Sequence, residues 1–549
     1  MSAPLTATVR HLIGLPGPVR RVAVQRDIPV PMPDGVRLLA DRYYPVDDQH
    51  APLVLIRTLY GRRQAYAVLA RIIAEQGFQV FQQSLRGTAD SGGGFDGFVV
   101  EPGDGPATVA WLRTQPWFPA AMATWGTSYL GYVQWELAQQ PIPQWQAAII
   151  QDAPSEFYHS FMYPGGVFAL GNALGWVQVV HEMFRTGGSL PRQLVGALTG
   201  PQKLRRAVLA PAIGDADLVA VGEHVPYFQQ WLRHPEPDEY WARMDHRRNV
   251  ENMPPTVLLA GGWYDFFLPG MLEDYAALRA AGRQVRLLVG PWAHGRGMHT
   301  RTYLRESFAV LEHALRGKGK LPADPVRVNV TGAKRWVDLL DWPPPGCAPR
   351  PWYVHADGGL DTRMPVASSP SRYRYDAAYP TPSVGGAVVA VNSGPKDNRR
   401  LESRPDVLVF TSPVLDRELE IVGPVTAEIH LRSSRSHTDV FARLCDVAPS
   451  GRSENLCDGI VRLNGPPGAD GVRVARVELW PIAHRFRRGH RVRLQVSSGA
   501  HPRYARNPGT GDPFGTDLLA ADQEVFHDPG HASAVFLPQR SDHAAERTR

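Results

Sequence analysis

Ser128 stands in Gly126-Thr127-Ser128-Tyr129-Leu130-Gly131, between the apolar stretch Ala121 to Trp125 and the helix-compatible stretch Tyr129 to Gln139. A serine on a tight strand-to-helix turn flanked by small residues is how a nucleophile elbow exposes its hydroxyl. Serine attacks poorly until a base takes its proton, and the base needs an acid to hold its tautomer. In such folds the three follow in the order serine, acid, histidine, each just after a strand. Asp265 follows the apolar run Thr256 to Ala260 in GGWYDFF, and His294 follows Val285 to Val289 in GPWAHG. Each residue alone has a plainer explanation. The motif departs from G-x-S-x-G at Leu130, a loop aspartate is usually a turn-former, and a histidine beside Trp292 reads as a packed surface residue. Three of them at three successive strand ends, in the required order, favour acyl chemistry at Ser128.

The developing oxyanion needs two donors. The backbone N–H of Tyr129, the residue after the serine, supplies one by its place in the turn. The second should come from the loop after an early strand, and no HGGG-type run occurs there. Leu53 to Arg57 instead leads into Thr58-Leu59-Tyr60-Gly61-Arg62. The Tyr60 hydroxyl is a candidate donor, and spacing leaves it open against a core tyrosine.

Strand and helix signals alternate over residues 20–150 and predict a mostly parallel sheet covered by helices. Leu53 to Arg57, Phe78 to Phe81, Ala121 to Trp125 and Ala147 to Ile150 read as strands; Gln64 to Gln76 and Pro106 to Arg113 read as helices. Residues 155–250 lack strong strand signals and hold helix-compatible stretches at Phe168 to Phe184, Arg192 to Leu198 and Asp238 to Arg247. Alternation resumes with Thr256 to Ala260, a helix at Met271 to Ala281, and Val285 to Val289. Short β-rich segments recur from Val326 onward between Gly, Pro and Asp turns, the signature of a sandwich or jelly roll. The expected layout is an α/β-hydrolase core over 22–154 and 251–319, a helical cap inserted over 155–250, an all-β jelly-roll domain over 320–538, and a flexible tail over 539–549.

Composition narrows the class. The chain has 549 residues, 43% of them hydrophobic and 20% charged, with a net charge of +6. A run of about 18 apolar residues, as a membrane helix needs, does not occur. The N-terminus lacks a continuous apolar stretch, so no signal peptide is read and a cytoplasmic location is expected. Basic residues are dispersed apart from His484 to Arg493, which reads as a solvated loop or hairpin; no nucleic-acid partner is expected. Three cysteines (Cys347, Cys445, Cys457) without a CxxC pair argue against zinc fingers and a disulfide framework.

These motifs are recognisable. GTSYLGYVQW (Gly126–Trp135), GGWYD (Gly261–Asp265) and GPWAHG (Gly290–Gly295) resemble the cocaine esterase / X-prolyl dipeptidyl-peptidase family, the CocE/NonD hydrolases. MPDGVRLLADRYYP (Met32–Pro45), RTLYG, QSLRGTADSGGGF (Gln83–Phe95) and VTGAKRWVDLLDWPP (Val330–Pro344) extend the likeness from about residue 22 to 538. The resemblance implies a Ser128, Asp265 and His294 triad, oxyanion donors at the Tyr60 hydroxyl and Tyr129 N–H, and no metal or organic cofactor. It implies a small-molecule acyl substrate, with Trp176 and Phe267 packing against the acyl group. In the α-amino acid ester hydrolase branch a carboxylate cluster beside the catalytic aspartate binds the substrate ammonium. Here Phe266-Phe267-Leu268-Pro269 follows Asp265, and an ammonium buried there without a partner is costly. The implied reaction is ester hydrolysis, with acyl transfer or amide cleavage as the alternative and a non-catalytic binding protein or a lectin-like β domain less favoured. The oligomeric state is left open, a homodimer included.

Overall fold

The computed structural model describes residues 17–63, 65–99, 103–186, 190–389, 392–465, 467–468 and 470–540. Most of the expected tail, 541–549, and the N-terminal segment read for targeting up to residue 16 lie outside the described residues.

Ten strands form one sheet: β1 (Val22–Pro31), β2 (Arg37–Pro45), β3 (Leu53–Thr58), β4 (Gln79–Ser84), β5 (Met122–Thr127), β6 (Trp145–Gln151), β7 (Thr256–Tyr264), β8 (Gln284–Ala293), β9 (Val326–Val330) and β10 (Arg335–Leu339). Their order is β1-β2-β4-β3-β5-β6-β7-β8-β9-β10. Pairing is parallel from β4 through β9 and antiparallel at both edges. The central strands read as continuous apolar runs because both faces are covered. All of β3 and all of β7 are buried. The covering helices are α1 (Ala65–Glu75), α2 (Asp104–Arg113), α3 (Tyr129–Leu137) and, later in the chain, α9 (Leu268–Ala280) and α10 (Arg301–Arg316). This is the α/β-hydrolase core. The strand ends are where the sequence expectation ran short: β5 continues to Thr127 and β8 to Ala293, so each motif begins inside a strand.

Between β6 and β7 the chain leaves the sheet for a helical cap: α4 (Leu170–Thr186), α5 (Leu190–Ala207), α6 (Ala216–Val221), α7 (Pro226–Arg233) and α8 (Glu239–Ala242). The aromatic residues Phe161, Met162, Tyr163 and Phe168 are all 2% exposed or less and form its core. Tyr163 gives its hydroxyl hydrogen to the Trp231 carbonyl at 2.8 Å, tying the cap to itself.

Asp274 on α9 anchors the start of the cap. Its carboxyl group accepts the Ser155 N–H at 2.9 Å and is bonded to the Ser155 hydroxyl. Burial pushes Asp274 up to about 8, with the Ser155 bonds opposing the rise. The folded chain therefore holds a proton at neutral pH that an unfolded aspartate releases near pH ~4, so stability falls as pH rises from about 4 to about 8 and levels off above. Asp274→Asn is expected to flatten the dependence of the melting temperature on pH across that window; an unchanged slope contradicts it.

Besides a two-stranded sheet of His527–Asp528 and His531–Ala532, the C-terminal part holds two large antiparallel sheets that share one buried core. One runs Leu360–Asp361, Cys347–Val354, Ala534–Arg540, Leu419–Ser433, Ala521–Val525, Ser371–Tyr375, with Arg473–Phe486 also paired to Leu419–Ser433; the other runs Leu408–Thr411, Arg491–Ser497, Thr438–Val447, Ser453–Leu463. Two details differ from the sequence expectation. Val326–Val330, expected to open the β domain, pairs in parallel with β8, and Arg335–Leu339 follows it, so the hydrolase sheet runs past residue 319 to Leu339. A five-residue apolar strand looks the same in either domain; only its partner distinguishes them. The basic run His484 to Arg493 is neither a hairpin nor solvated as a block. It carries the chain from one sheet to the other, and Arg485, Arg493, His484 and His490 meet Glu418, Glu420, Glu402 and Asp446. Cys347, Cys445 and Cys457 are all free thiols, and burial pushes Cys445 up to about 12. Among the described residues no helix is long and apolar enough to cross a membrane.

Candidate active site

The turn after β5 is built around Ser128, whose φ of 59° and ψ of −127° are rarely adopted by a residue with a side chain. Glycine is required on both sides. A Cβ on Gly126 would lie 2.1 Å from the Leu130 carbonyl oxygen, and one on Gly131 would lie 2.7 Å from the Ala153 Cβ. The second contact explains why the glycine falls three residues after the serine: α3 packs there against the chain leaving β6. Arg57 and Glu136 form a buried ion pair beneath α3, at 2.8 Å.

GGWYD and GPWAHG are two halves of one device. They pair along β7 and β8, with a register irregularity between Gly262 and Tyr264. Trp292 fills the space that both glycines vacate, since a Cβ on Gly262 would meet the Trp292 carbonyl oxygen at 2.2 Å and one on Gly290 would meet its ring at 2.4 Å. The strands then end with Asp265 and His294 side by side.

The structure brings Ser128, His294 and Asp265 together. The Ser128 hydroxyl lies 2.9 Å from His294 Nε2, positioned to donate to it, and His294 Nδ1 lies 2.8 Å from Asp265 Oδ2. Asp265 is wholly buried, and its Oδ1 accepts the Phe267 N–H at 2.7 Å. The His294 ring is 20% exposed, so one edge is open to a reacting group. Phe266 stacks on it at 4.4 Å between centroids and Phe267 meets it edge-on at 5.4 Å. Phe267 thus supports the histidine as well as lining the apolar side of the site.

Tyr60 comes from the loop after β3, and its hydroxyl group lies beside the side chains of Ser128 and of Trp176 on α4. An indole N–H can only donate, so Trp176 can serve the Tyr60 oxygen and leave the Tyr60 hydrogen for the Ser128 side. Burial raises Tyr60, against the lowering effect of Ser128 and Trp176, and keeps it a donor. Trp176, expected as an acyl contact, therefore also aims Tyr60. Tyr129 is the first residue of α3, where an amide has no partner in the helix's own ladder. Both expected oxyanion donors accordingly flank the serine. Tyr60→Phe is expected to lower kcat about 10²- to 10³-fold with KM little changed; a steady-state kcat within about twofold of wild type would refute the role.

Several contributors were not foreseen. The QSLRGTADSGGGF segment ends in a loop that brings Phe95 and Phe98 to the site, held by the Tyr129 hydroxyl on the Gly97 carbonyl at 2.7 Å and the Tyr132 hydroxyl on the Phe98 carbonyl at 3.1 Å. Phe98 stacks on Trp176 at 4.2 Å. Trp480, from the β domain, donates its indole N–H to the Asp265 carbonyl at 3.0 Å. Asp152, at the end of β6, lies beside Asp265. A cavity of about 910 Å³ runs from Tyr60 and Tyr66 between α4, α5 and the β domain, with Asn172, Gln178, Val389 and Arg503 along it.

A serine on a strained turn after β5, an aspartate after β7 and a histidine after β8 on a parallel sheet fit a serine hydrolase of the α/β-hydrolase class. Within that class the chain belongs to the X-Pro dipeptidyl-peptidase (S15) family, the family of cocaine esterase: the S15 family model matches residues 34–296, and the model of the X-Pro dipeptidyl-peptidase C-terminal non-catalytic domain matches residues 320–535. Cocaine esterase of Rhodococcus sp. (strain MB1 Bresler) is 30% identical over 94% of this chain and 98% of the relative. An aminopeptidase from a marine sediment archaeon, Thaumarchaeota archaeon, has the same fold with a TM-score of 0.81 at 24% identity, covering 96% of this chain and 98% of that one. An α-amino acid ester hydrolase superposes with a TM-score of 0.80 at 22% identity over the same shares.

Proposed function

We propose that this enzyme hydrolyses carboxylic esters of apolar acyl groups through an acyl-enzyme on Ser128. The observation that carries this is the unbroken hydrogen-bonded chain from the Ser128 hydroxyl through His294 to buried Asp265, with the Tyr60 hydroxyl beside the serine. His294 takes the serine proton as the oxygen attacks the acyl carbonyl. Tyr60 and the Tyr129 N–H hold the oxyanion, and Asp265 stabilises the imidazolium. His294 then protonates the departing alcohol, and water repeats the sequence to release the acid.

The acyl preference follows from what surrounds the serine. Phe98, Phe157, Phe161, Trp176, Phe266 and Phe267 pack on one another there. Asp274 is engaged by Ser155 and Glu156 by the Ser160 N–H and hydroxyl, and Glu273 is exposed. A substrate ammonium would enter this site without a partner. The cocaine esterase relative supports an ester reading, and the aminopeptidase and S15 relatives keep amide cleavage as the competing one. A panel of benzoyl and short-chain acyl esters, α-amino acyl esters and X-Pro amides decides between them, with products read in the presence and absence of added alcohol or amine. Apolar acyl esters are expected to exceed α-amino acyl esters by about 10²-fold in kcat/KM, the usual cost of an unpaired polar group. A reversed preference, or transfer to the added nucleophile outrunning hydrolysis, contradicts the proposal.

A further inference from the structure

A second buried carboxyl group lies against the proposed triad, and the reaction just described does not use it. Asp152 ends β6, is 1% exposed and has φ 49°. A side-chain-bearing residue in this left-handed region needs surroundings that hold it. Asp152 has them from β7 and from the turn after β8. Its N–H donates to the Ala260 carbonyl of β7 at 2.8 Å, and its Oδ2 accepts the N–H of Gly295, the residue after His294, at 2.9 Å. Its carboxyl group lies beside that of Asp265: side-chain oxygen and nitrogen atoms of Asp152, Asp265 and His294 all lie within 4.8 Å of one another.

The positions of those atoms decide what the cluster does. Asp265 already accepts from His294 Nδ1 and from the Phe267 N–H. Two carboxyl groups this close and out of water cannot both stay charged, so one of them keeps its proton. Asp265 faces Asp152 from the end of β7, His294 from the end of β8, and the Tyr303 hydroxyl senses it from α10. Among the described residues no arginine or lysine acts on Asp152. Burial, and then the negative charge of Asp265, push Asp152 well above the usual carboxylate range, with only the Gly295 amide opposing.

We propose that Asp152 is a positioning residue for the reaction: as a neutral acid it donates a hydrogen bond to Asp265 and accepts one from Gly295, so that a single carboxyl group joins the proposed acid to the turn carrying the proposed base. This rests on the assignment of Ser128, Asp265 and His294 made above. A neutral Asp152 leaves one negative charge facing His294, and its O–H, aimed at Asp265, leaves Oδ2 of that residue free for His294 Nδ1. The left-handed backbone at residue 152 is what turns the side chain inward between the two strand ends.

Asp152→Asn and Asp152→Ala, compared across pH on an ester substrate with Ser128→Ala as control, test this. The asparagine amide offers the same donor and acceptor as the neutral acid, whereas alanine offers neither. Asp152→Ala is expected to lose about 30-fold in kcat with KM within about twofold, and Asp152→Asn to recover at least about tenfold of that loss. The acid limb of kcat/KM, which reports protonation of the base, is expected to move by less than about 0.3 pH units in Asp152→Asn. A downward move of about one unit or more would show that wild-type Asp152 carries charge beside His294 and overturns the proposal. So would a wild-type kcat in Asp152→Ala while Ser128→Ala is inactive. Should Asp152→Ala fail to fold, the acid limb of Asp152→Asn decides alone. Turnover surviving in Ser128→Ala would instead overturn the site assignment itself, and the proposal with it.

Discussion

Ser128→Ala is expected to lower kcat by about 10⁵-fold while leaving substrate affinity and the melting temperature close to wild type. The loss is large because the hydroxyl that His294 Nε2 faces at 2.9 Å is removed, and the base is left without that proton to take. What survives is background from the oxyanion donors and binding alone. The fold is expected to tolerate the change. Ser128 contributes no side-chain cap to α3, and the strain of its φ of 59° is held by the Gly126 and Gly131 contacts and by the Ser128 N–H on the Gln151 carbonyl at 2.8 Å. Steady-state kinetics and a thermal melt on one preparation check both halves. A variant within about tenfold of wild type refutes Ser128 as nucleophile.

Asp265→Asn is expected to cost about 10⁴-fold in kcat, for a reason specific to this geometry. Oδ1 of Asp265 accepts the Phe267 N–H, and Oδ2 accepts from His294 Nδ1. In the asparagine variant the Phe267 N–H keeps the amide oxygen in place and turns the NH₂ group toward His294. Nδ1 must then accept, Nε2 carries the hydrogen, and the ring can no longer take the Ser128 proton. KM is expected to stay near wild type, since Asp265 is wholly buried and touches no substrate. A loss below about tenfold in kcat would mean that the histidine tautomer is set elsewhere.

How much of this was legible in the sequence depended on whether a signal was local. Ser128, Asp265 and His294 could be read because each strand announces its own end and the fold fixes the order of chemistry along the chain. Tyr60 was visible as a candidate, but whether it points at the serine depends on Trp176, more than a hundred residues away in another layer. Asp152 was hidden for the same reason: in Gln-Asp-Ala-Pro-Ser it looks like a turn-former, and only pairing of β6 with β7 and of β7 with β8 brings it to Asp265. Trp480 sits in an alternating strand with nothing to mark its indole as the one that reaches Asp265 across domains. The edge of the hydrolase sheet was misplaced because Val326–Val330 carries the same apolar pattern that a sandwich strand carries. The basic run at 484–493 suggested solvent because its acidic partners, Glu402, Glu418, Glu420 and Asp446, come from a short helix, a loop and other strands.

The central claim is that Ser128 carries the acyl group. Intact-mass analysis of the enzyme quenched in acid during turnover of a slowly hydrolysed acyl ester, followed by peptide mapping, tests it most directly. The predicted result is one added acyl mass per chain, located on Ser128, absent in Ser128→Ala and decaying as free acid appears. Turnover without any such adduct, or an adduct on another residue that forms and decays at the catalytic rate, would contradict it.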